Sequence, residues 1–247
     1  MNLRILLFHF FLILALCFQA QLTDNFSDGN FTQNPAWQGS AADFLVNGTS
    51  ELQLSSAVAG TSYLSTPHVL GTLTNTEWQI KVRQTFSPSS SNFGKVFLTA
   101  DNADMSLVQN GYYLLFGETG STDAIRLFAL NAGVATQICA GTDGQISASC
   151  NASVKVKRDG AGLWSLFADL SGGTNYTLLS TGSDASNLLG THFGVLCTYT
   201  ISNATKFYFD NVYIGPEILD VTPPVLASVT PISSTQLDLL FNESVTL

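Results

Sequence analysis

From Glu77 to Phe86 the chain alternates between two kinds of residue. Trp78, Ile80, Val82 and Phe86 share one parity, while Glu77, Gln79, Lys81, Arg83 and Thr85 take the other. A period of two places successive side chains on opposite faces of an extended strand, so this segment has one buried and one solvated face. Such a strand is stable only inside a sheet whose apolar face is covered. Nothing in the mature chain competes with that demand, because no segment of ten or more residues spaces its apolar side chains by three and four. The one stretch resembling a helical turn is Ala185–Leu189.

Short strands recur between turn signals along the rest of the chain. Ala42–Val46 and Glu51–Leu54 flank Asn47-Gly48, a strong two-residue hairpin signal. Further strands are expected at Lys95–Ala100, Tyr112–Gly117, Ala124–Leu130, Ser153–Arg158, Gly162–Leu170, Asn175–Ser180 and Phe193–Thr200. Asp159-Gly160 and Ser171-Gly172-Gly173-Thr174 supply tight turns between them. The closing strand, Phe207–Gly215, carries a defect in its alternation. Phe207 and Phe209 share one parity and Val212 and Ile214 the other, which a buried face tolerates only if one extra residue is inserted. A β-bulge is therefore expected near Asp210–Asn211. Many short strands at this spacing give an all-β fold class, a two-sheet antiparallel sandwich.

The first 20 residues stand apart. Arg4 precedes an apolar run from Ile5 to Phe18, interrupted by His9 and leading to Gln19-Ala20, the pattern of a secretory signal peptide. The run is shorter than the roughly 20 residues of a membrane-spanning helix. Cleavage after Ala20 is expected. A lipid anchor at Cys17 is the alternative, but Leu16 is bulky where a small residue is wanted. No later stretch has the length and apolarity of a bilayer span, so a secreted, extracellular or cell-surface protein is expected. Losing Arg4 with the leader takes the formal charge from −9 to −10, which argues against nucleic acid and anionic membranes as partners.

Cys139, Cys150 and Cys197 remain after the leader. Cys139 and Cys150 flank a Gly-containing segment and either pair as a disulfide, which an export compartment permits, or stay as two buried thiols. Cys197 reads as a small core residue. After Pro216 the composition shifts. Pro223-Pro224 introduces a strand at Val225–Val229, then a turn, then a strand at Gln236–Phe241. Residues 21–216 form the main domain in this reading, and 217–247 hold a linker and the first strands of an incomplete second β-sandwich.

Several stretches together resemble one family: DNFSDGNFTQNPAWQG from Asp24, the Pro88–Phe93 run before KVFLTAD, NGYYLLFG, VKVKRDGAGLW and FYFDNVYIG. They are similar to LamG-like jelly-roll domains of the concanavalin A-like lectin/glucanase superfamily, in the form carried by secreted Bacteroidetes surface proteins. The segment with Asp220, Pro223, Pro224, Phe241, Glu243 and Val245 resembles bacterial Ig-like modules. The first resemblance implies a jelly-roll topology. It also implies a structural Ca²⁺ between an acidic N-terminal stretch and the last strand, for which Asp24, Asp28 and Asp210 are the candidate ligands. The competing role for Asp24 and Asp28 is as turn residues through Asx hydrogen bonds, with Asp210 capping the bulge.

A glycoside hydrolase needs two carboxylates flanking the scissile bond, about 5–5.5 Å or roughly 6.5–9.5 Å apart. The glucanases of this superfamily carry them as E-x-D-x-E or E-x-D-x-x-E. Here the Glu residues after the leader are Glu51, Glu77, Glu118, Glu217 and Glu243, and none has an Asp two positions later. Asp101 and Asp104 have odd spacing. There is no G-x-S-x-G, P-loop or H-E-x-x-H, and His68 and His192 read as loop or surface residues. No catalytic activity is expected of this chain. Sugar binding would use aromatic platforms and amides, for which Trp37, Tyr112, Tyr113, Tyr199, Tyr208, Asn92 and Asn110 are candidates. Adjacent Tyr112 and Tyr113 must face opposite sides of their strand, while Trp78 and Trp164 read as core. The expected function is a secreted carbohydrate-binding or adhesion module recognising an extracellular polysaccharide or glycan. The alternatives are a structural spacer and an ancillary domain of an extracellular hydrolase.

Overall fold

In a computed structural model, residues 21–219, 221–243 and 245 are described. The expected leader and Asp220 lie outside them. The strands are β1 (Leu22–Asp24), β2 (Gln38–Gly39), β3 (Phe44–Val46), β4 (Leu52–Leu54), β5 (Gly60–Pro67) and β6 (Thr76–Gln84). They continue with β7 (Phe93–Ala100), β8 (Gly111–Phe116), β9 (Ile125–Asn131), β10 (Val134–Ala140), β11 (Cys150–Arg158) and β12 (Leu163–Asp169). The last are β13 (Thr177–Ser183), β14 (His192–Tyr199), β15 (Phe207–Pro216), β16 (Leu226–Ser233) and β17 (Gln236–Phe241). Two antiparallel sheets make a jelly-roll sandwich. One runs β13-β12-β11-β6-β15-β4-β3, with β1 also paired to β15; the other runs β10-β9-β8-β7-β14-β5-β2. Among the described residues helix is confined to two short 3-10 turns, Ala41–Asp43 and Ile201–Asn203.

The alternation in β6 works as expected on its apolar side. Trp78, Ile80 and Val82 are buried between the sheets, and the Trp78 ring stacks on Trp164 at 5.6 Å, with Tyr112 on Trp164 at 4.4 Å. Buried indole N–H groups need acceptors, and Trp78 Nε1 donates to the Leu98 carbonyl at 2.9 Å. The polar face departs from expectation at Glu77, which is fully buried although it points outward. Gln79 donates to it at 2.5 Å, and Lys157, 3.7 Å away, also reaches Glu217 at 2.9 Å.

The parity defect in β15 is a bulge at the expected place. Lys81 pairs with Asp210 and Gln79 with Tyr213, so three steps on β15 oppose two on β6. Asn211 is left-handed, with φ 53°, a conformation Asn tolerates better than most residues. The insertion returns Phe207, Phe209, Val212 and Ile214 all to the core. On the edge away from β6, β4 pairs with Tyr208 and Phe209, and β1 pairs with Val212 to Ile214. Asp210 and Asn211 fall between the segments of β15 that pair with those two short strands.

Other differences have local causes. The segment 184–190 holds no helical turn; it is irregular, with Asp184 Oδ1 accepting from Ser186 N at 3.3 Å and Tyr112 Oη donating to the Asp184 carboxylate at 2.6 Å. The Cys139–Cys150 disulfide is not formed. All three cysteines are buried thiols, Cys139 on β10 of one sheet and Cys150 on β11 of the other, each donating to a different carbonyl, Trp164 and Val82. Burial pushes the Cys139 thiol up to about 11 and Cys150 to about 12. From Ile218 the chain forms a separate compact unit. Among its described residues it is one exposed hairpin, β16 with β17, closed by Asn242 and Val225.

Candidate functional site

The gap between β4 and β1 opens a cleft of about 410 Å³ lined by Asp24, Asn25, Ser27, Asp28, Asn34 and Asn211, with Thr23 and Val212 at its base. Its shape comes from the turn-rich segment after β1. Asp24 ends β1 opposite Val212, and its Oδ1 accepts from Phe26 N at 2.9 Å, an Asx turn that folds the chain back. Its Oδ2 accepts from Trp37 Nε1 at 2.8 Å. Trp37 is thereby locked between Phe26 and Phe193, each ring centroid 5.8 Å away. One carboxylate thus ties the apolar floor of this end of the sandwich to the polar rim of the cleft. Asp28 makes a second Asx turn, accepting from Asn30 N at 3.1 Å and Asn30 Nδ2 at 2.9 Å.

The cleft is electronegative. Burial raises the Asp24 pKa, the hydrogen bonds from Phe26 and Trp37 oppose the rise, and the charge on Asp28 adds to it. Asp210 is raised for the same first reason, against the Asn211 amide and Lys81, with Glu51 and Asp24 adding repulsion. Carboxylates and side-chain amides in one concavity accept hydrogen bonds from hydroxyls and return N–H donors, and they repel anions. Pro35, Pro67, His68 and Val69 line an adjoining cleft of about 340 Å³ that shares Thr23 and Asn34 with the first. His68 is a loop residue, just after β5, but a buried one. Its Nδ1 accepts from Leu70 N and its Nε2 meets Thr99 Oγ1, both at 3.3 Å, and burial with the charge of His192 lowers it to about 4.

The three expected calcium ligands are neighbours without forming a cage. Both oxygens of Asp24 and both of Asp28 hold turn or indole N–H groups, and Asp210 Oδ1 accepts from Asn211 N at 2.7 Å instead of lining the cleft. Among the described residues no three His, Cys, Asp or Glu side chains converge as a metal site. Ca²⁺ takes six to eight oxygens, usually with several carboxylates pointed inward, so this arrangement does not fit a preformed calcium site.

The expected aromatic platforms are dispersed and mostly internal. Trp37, Tyr112 and Tyr199 belong to the main core; Tyr199 Oη bonds Ser62 at 2.7 Å. Tyr113 does take the opposite face from Tyr112, yet it is 5% exposed, stacked on Phe128 at 5.2 Å in a second apolar cluster. Tyr208 is half-buried beneath the Arg83 guanidinium, 3.5 Å from its ring centroid, while Arg83 also bonds Glu51. Burial opposes ionisation of Glu51, but hydrogen bonds from Arg83, Asn47 and Thr49 hold it below the usual carboxylate range. Asn92 accepts from Thr200, and Asn110 joins Asp101 to the Ala132 amide. Asp101 and Asp104 lie in the loop after β7 and satisfy its own backbone. Asn34 and Asn211 were absent from the sequence candidates; the broken parity of β15 was the available signal for Asn211.

No family model matches the sequence, and no curated protein does. The fold is similar to several solved structures. The VIP36 exoplasmic/lumenal domain in its Ca²⁺/Man2-bound form has TM-score 0.55 at 10% identity, over 91% of this chain and 96% of that one. The Emp47p carbohydrate recognition domain has TM-score 0.51 at 14% identity, over 80% and 95%. A protein of unknown function, SO2946 from Shewanella oneidensis MR-1, has TM-score 0.52 at 13% identity, over 83% and 90%. The VIP36 domain has also been solved metal-free. At these identities the likeness shows the fold alone, a two-sheet antiparallel jelly-roll sandwich. Among the described residues no helix is long and apolar enough to cross a membrane.

Proposed function

We propose that this chain is a secreted, non-catalytic carbohydrate-binding module that holds a sugar in the cleft between Asp24 and Asn211. The observation that carries the reading is the interruption of the sheet at the β15 bulge, where two carboxylates and three amides gather in one open concavity. A sugar ring offers adjacent hydroxyls. Asp28 and Asp24 have lone pairs beyond those used in their turns to accept from such hydroxyls, and Asn25, Asn34 and Asn211 can both donate and accept. The fold supports the reading by likeness, since the VIP36 and Emp47p domains are described as mannose-bound and as a carbohydrate recognition domain. The leader-like residues 1–20 support export, and this reading takes the β16–β17 hairpin as part of an Ig-like module.

The acid pair in the cleft also suits binding rather than hydrolysis, because the Asp24 carboxylate is held in place as the acceptor of Phe26 N and Trp37 Nε1. The test is a glycan array probed with the full chain and with Asp28→Asn, which keeps the size of a side chain whose hydrogen bonds among the described residues go to Asn30. Binding by the parent chain, weakened about tenfold or more in the variant, is the expected result, in keeping with loss of a charged hydrogen-bond acceptor. An array on which the parent binds no polysaccharide overturns the proposal.

A further inference from the structure

We propose that the sugar site extends across β15 into a second cleft, so that the ligand is an oligosaccharide of two or more residues with Asn211 at the junction. The inference rests on the carbohydrate reading of the first cleft. The second cleft, about 320 Å³, lies on the outer face of the eight-stranded sheet over β6 and β11. Its lining includes Gln79, Lys81, Ser153, Thr174, Tyr176 and Asn211. The turn that joins β12 to β13 forms its wall. Asn211 also lines the first cleft, so the bulged residue is the partition that the two share.

The geometry of β15 explains why one residue serves both. β6 flanks the strand on one side, and β1 and β4 flank it end to end on the other. The second cleft opens above the β6 side and the first in the gap between β1 and β4. Neighbouring strands lie about 4.8 Å apart, so sites on either side of one strand are separated by roughly 10 Å, a span for a short chain of rings rather than one. Asn211 is exposed, and among the described residues its side-chain amide has no hydrogen-bonding partner; its backbone N–H donates to Asp210 Oδ1. The left-handed φ holds that amide at the crest.

The two clefts complement each other chemically. The first presents the carboxylates Asp24 and Asp28. The second presents donors and dual-function groups: the Lys81 ammonium and the hydroxyls of Ser153 and Thr174. Its far wall is rigid, because Tyr176 Oη donates to Gln79 at 3.2 Å, Gln79 donates to Glu77, and the Lys155 ammonium sits 4.3 Å from the Tyr176 ring centroid. A hydroxylated chain can give hydrogens to the first cleft and accept them in the second, whereas a single ring can use only one of them.

The experiment is calorimetric titration of the full chain with manno-, gluco- and xylo-oligosaccharides of one to four units. The same series is repeated with Thr174→Trp, an exposed turn substitution that fills the second cleft alone, and with Asn211→Gly, which keeps the φ and removes the amide. The expected result is affinity rising at least tenfold from one to three units in the parent chain. That gain should vanish in Thr174→Trp while single-unit binding is kept, and should shrink in Asn211→Gly. Affinity independent of length, or a gain that survives Thr174→Trp, overturns the extension and leaves the first site standing. No binding by any member of the three series removes the first site and the extension together.

Discussion

The outer faces of the two sheets are treated in opposite ways. On the seven-stranded sheet, Phe97, Tyr113 and Leu196 point away from the main core, and the chain covers them itself. The loop between β7 and β8 lays Met105 and Val108 over them, making a second apolar cluster. Ser65 donates to the Ala103 carbonyl at 2.7 Å and pins that loop, and a Cβ at Gly194 would come within 2.5 Å of the Met105 sulfur. Even Lys95 is drawn in, its ammonium 4.7 Å from the Tyr113 ring centroid and its pKa lowered by burial. The eight-stranded sheet instead carries Arg83 on Tyr208, Lys155 on Tyr176 and Lys157 near Glu77 and Glu217, with open clefts between them. Apolar outward residues are satisfied by the protein's own loop. Polar ones keep unused hydrogen-bonding capacity, and the ligand site is read from where that capacity collects.

If one face is structural and the other receptive, substitutions should separate stability from binding. The largest effect is expected for Met105→Ala, which empties the middle of the closed face. Truncating a fully buried Met costs about 2–5 kcal/mol, and urea unfolding should show it while affinity for a sugar ligand stays unchanged. A parallel loss of affinity would erase the distinction.

Somewhat smaller is the pH effect of His68, which is buried just after β5 and away from the Met105 cluster. Its folded pKa of about 4 lies below the usual 6.5, so the unfolded chain takes up this proton first as pH falls. The stability held by neutral His68 is complete above pH 6.5 and declines toward pH 4, by on the order of 3 kcal/mol. Urea titrations across that window should show this slope, and His68→Gln should flatten it. An equal slope in the variant would assign the effect elsewhere. The smallest expected effect is that of chelation. With Asp24 and Asp28 engaged in turns and Asp210 turned aside, EDTA should leave the melting temperature where it was. A fall on chelation, reversed by Ca²⁺, would mean that these carboxylates regroup around an ion.

Much of this fold was legible because burial imposes a parity. The alternation in β6 and its interruption in β15 placed a sheet, a core face and a bulge correctly, since each misplaced residue would put an aromatic in water. β5 escaped notice for the converse reason. Its inward positions include Ser62 and Thr66, buried hydroxyls, so no apolar contrast marks the strand. β10 is an edge strand exposed over its first four residues, and Cys139 alone is buried on it, too little to mark a face. The site was half legible. Asp24 and Asp28 were singled out, but their role as turn anchors depends on Phe26, Asn30 and Trp37 arriving in space. Asn34 comes from the same loop, and its position opposite Asn211 is set by pairing between β1 and β15, a contact between the two ends of the domain that no local pattern encodes. Of the aromatic candidates, Trp37, Tyr112 and Tyr199 are core rings, and Tyr113, although outward-facing, is covered by the loop after β7; in sequence all of these look like a ring left open to solvent.

The central claim is that ligand meets the polar, interrupted edge of the eight-stranded sheet and not the face closed by Met105. Hydrogen–deuterium exchange of the full chain, with and without a glycan that it binds, tests this directly. Added protection is expected in residues 23–34 and 210–213, extending to 171–176 when the glycan has three units. Protection confined to residues 93–98 and 101–115, with residues 23–34 unchanged, would place the ligand on the seven-stranded sheet and contradict the account.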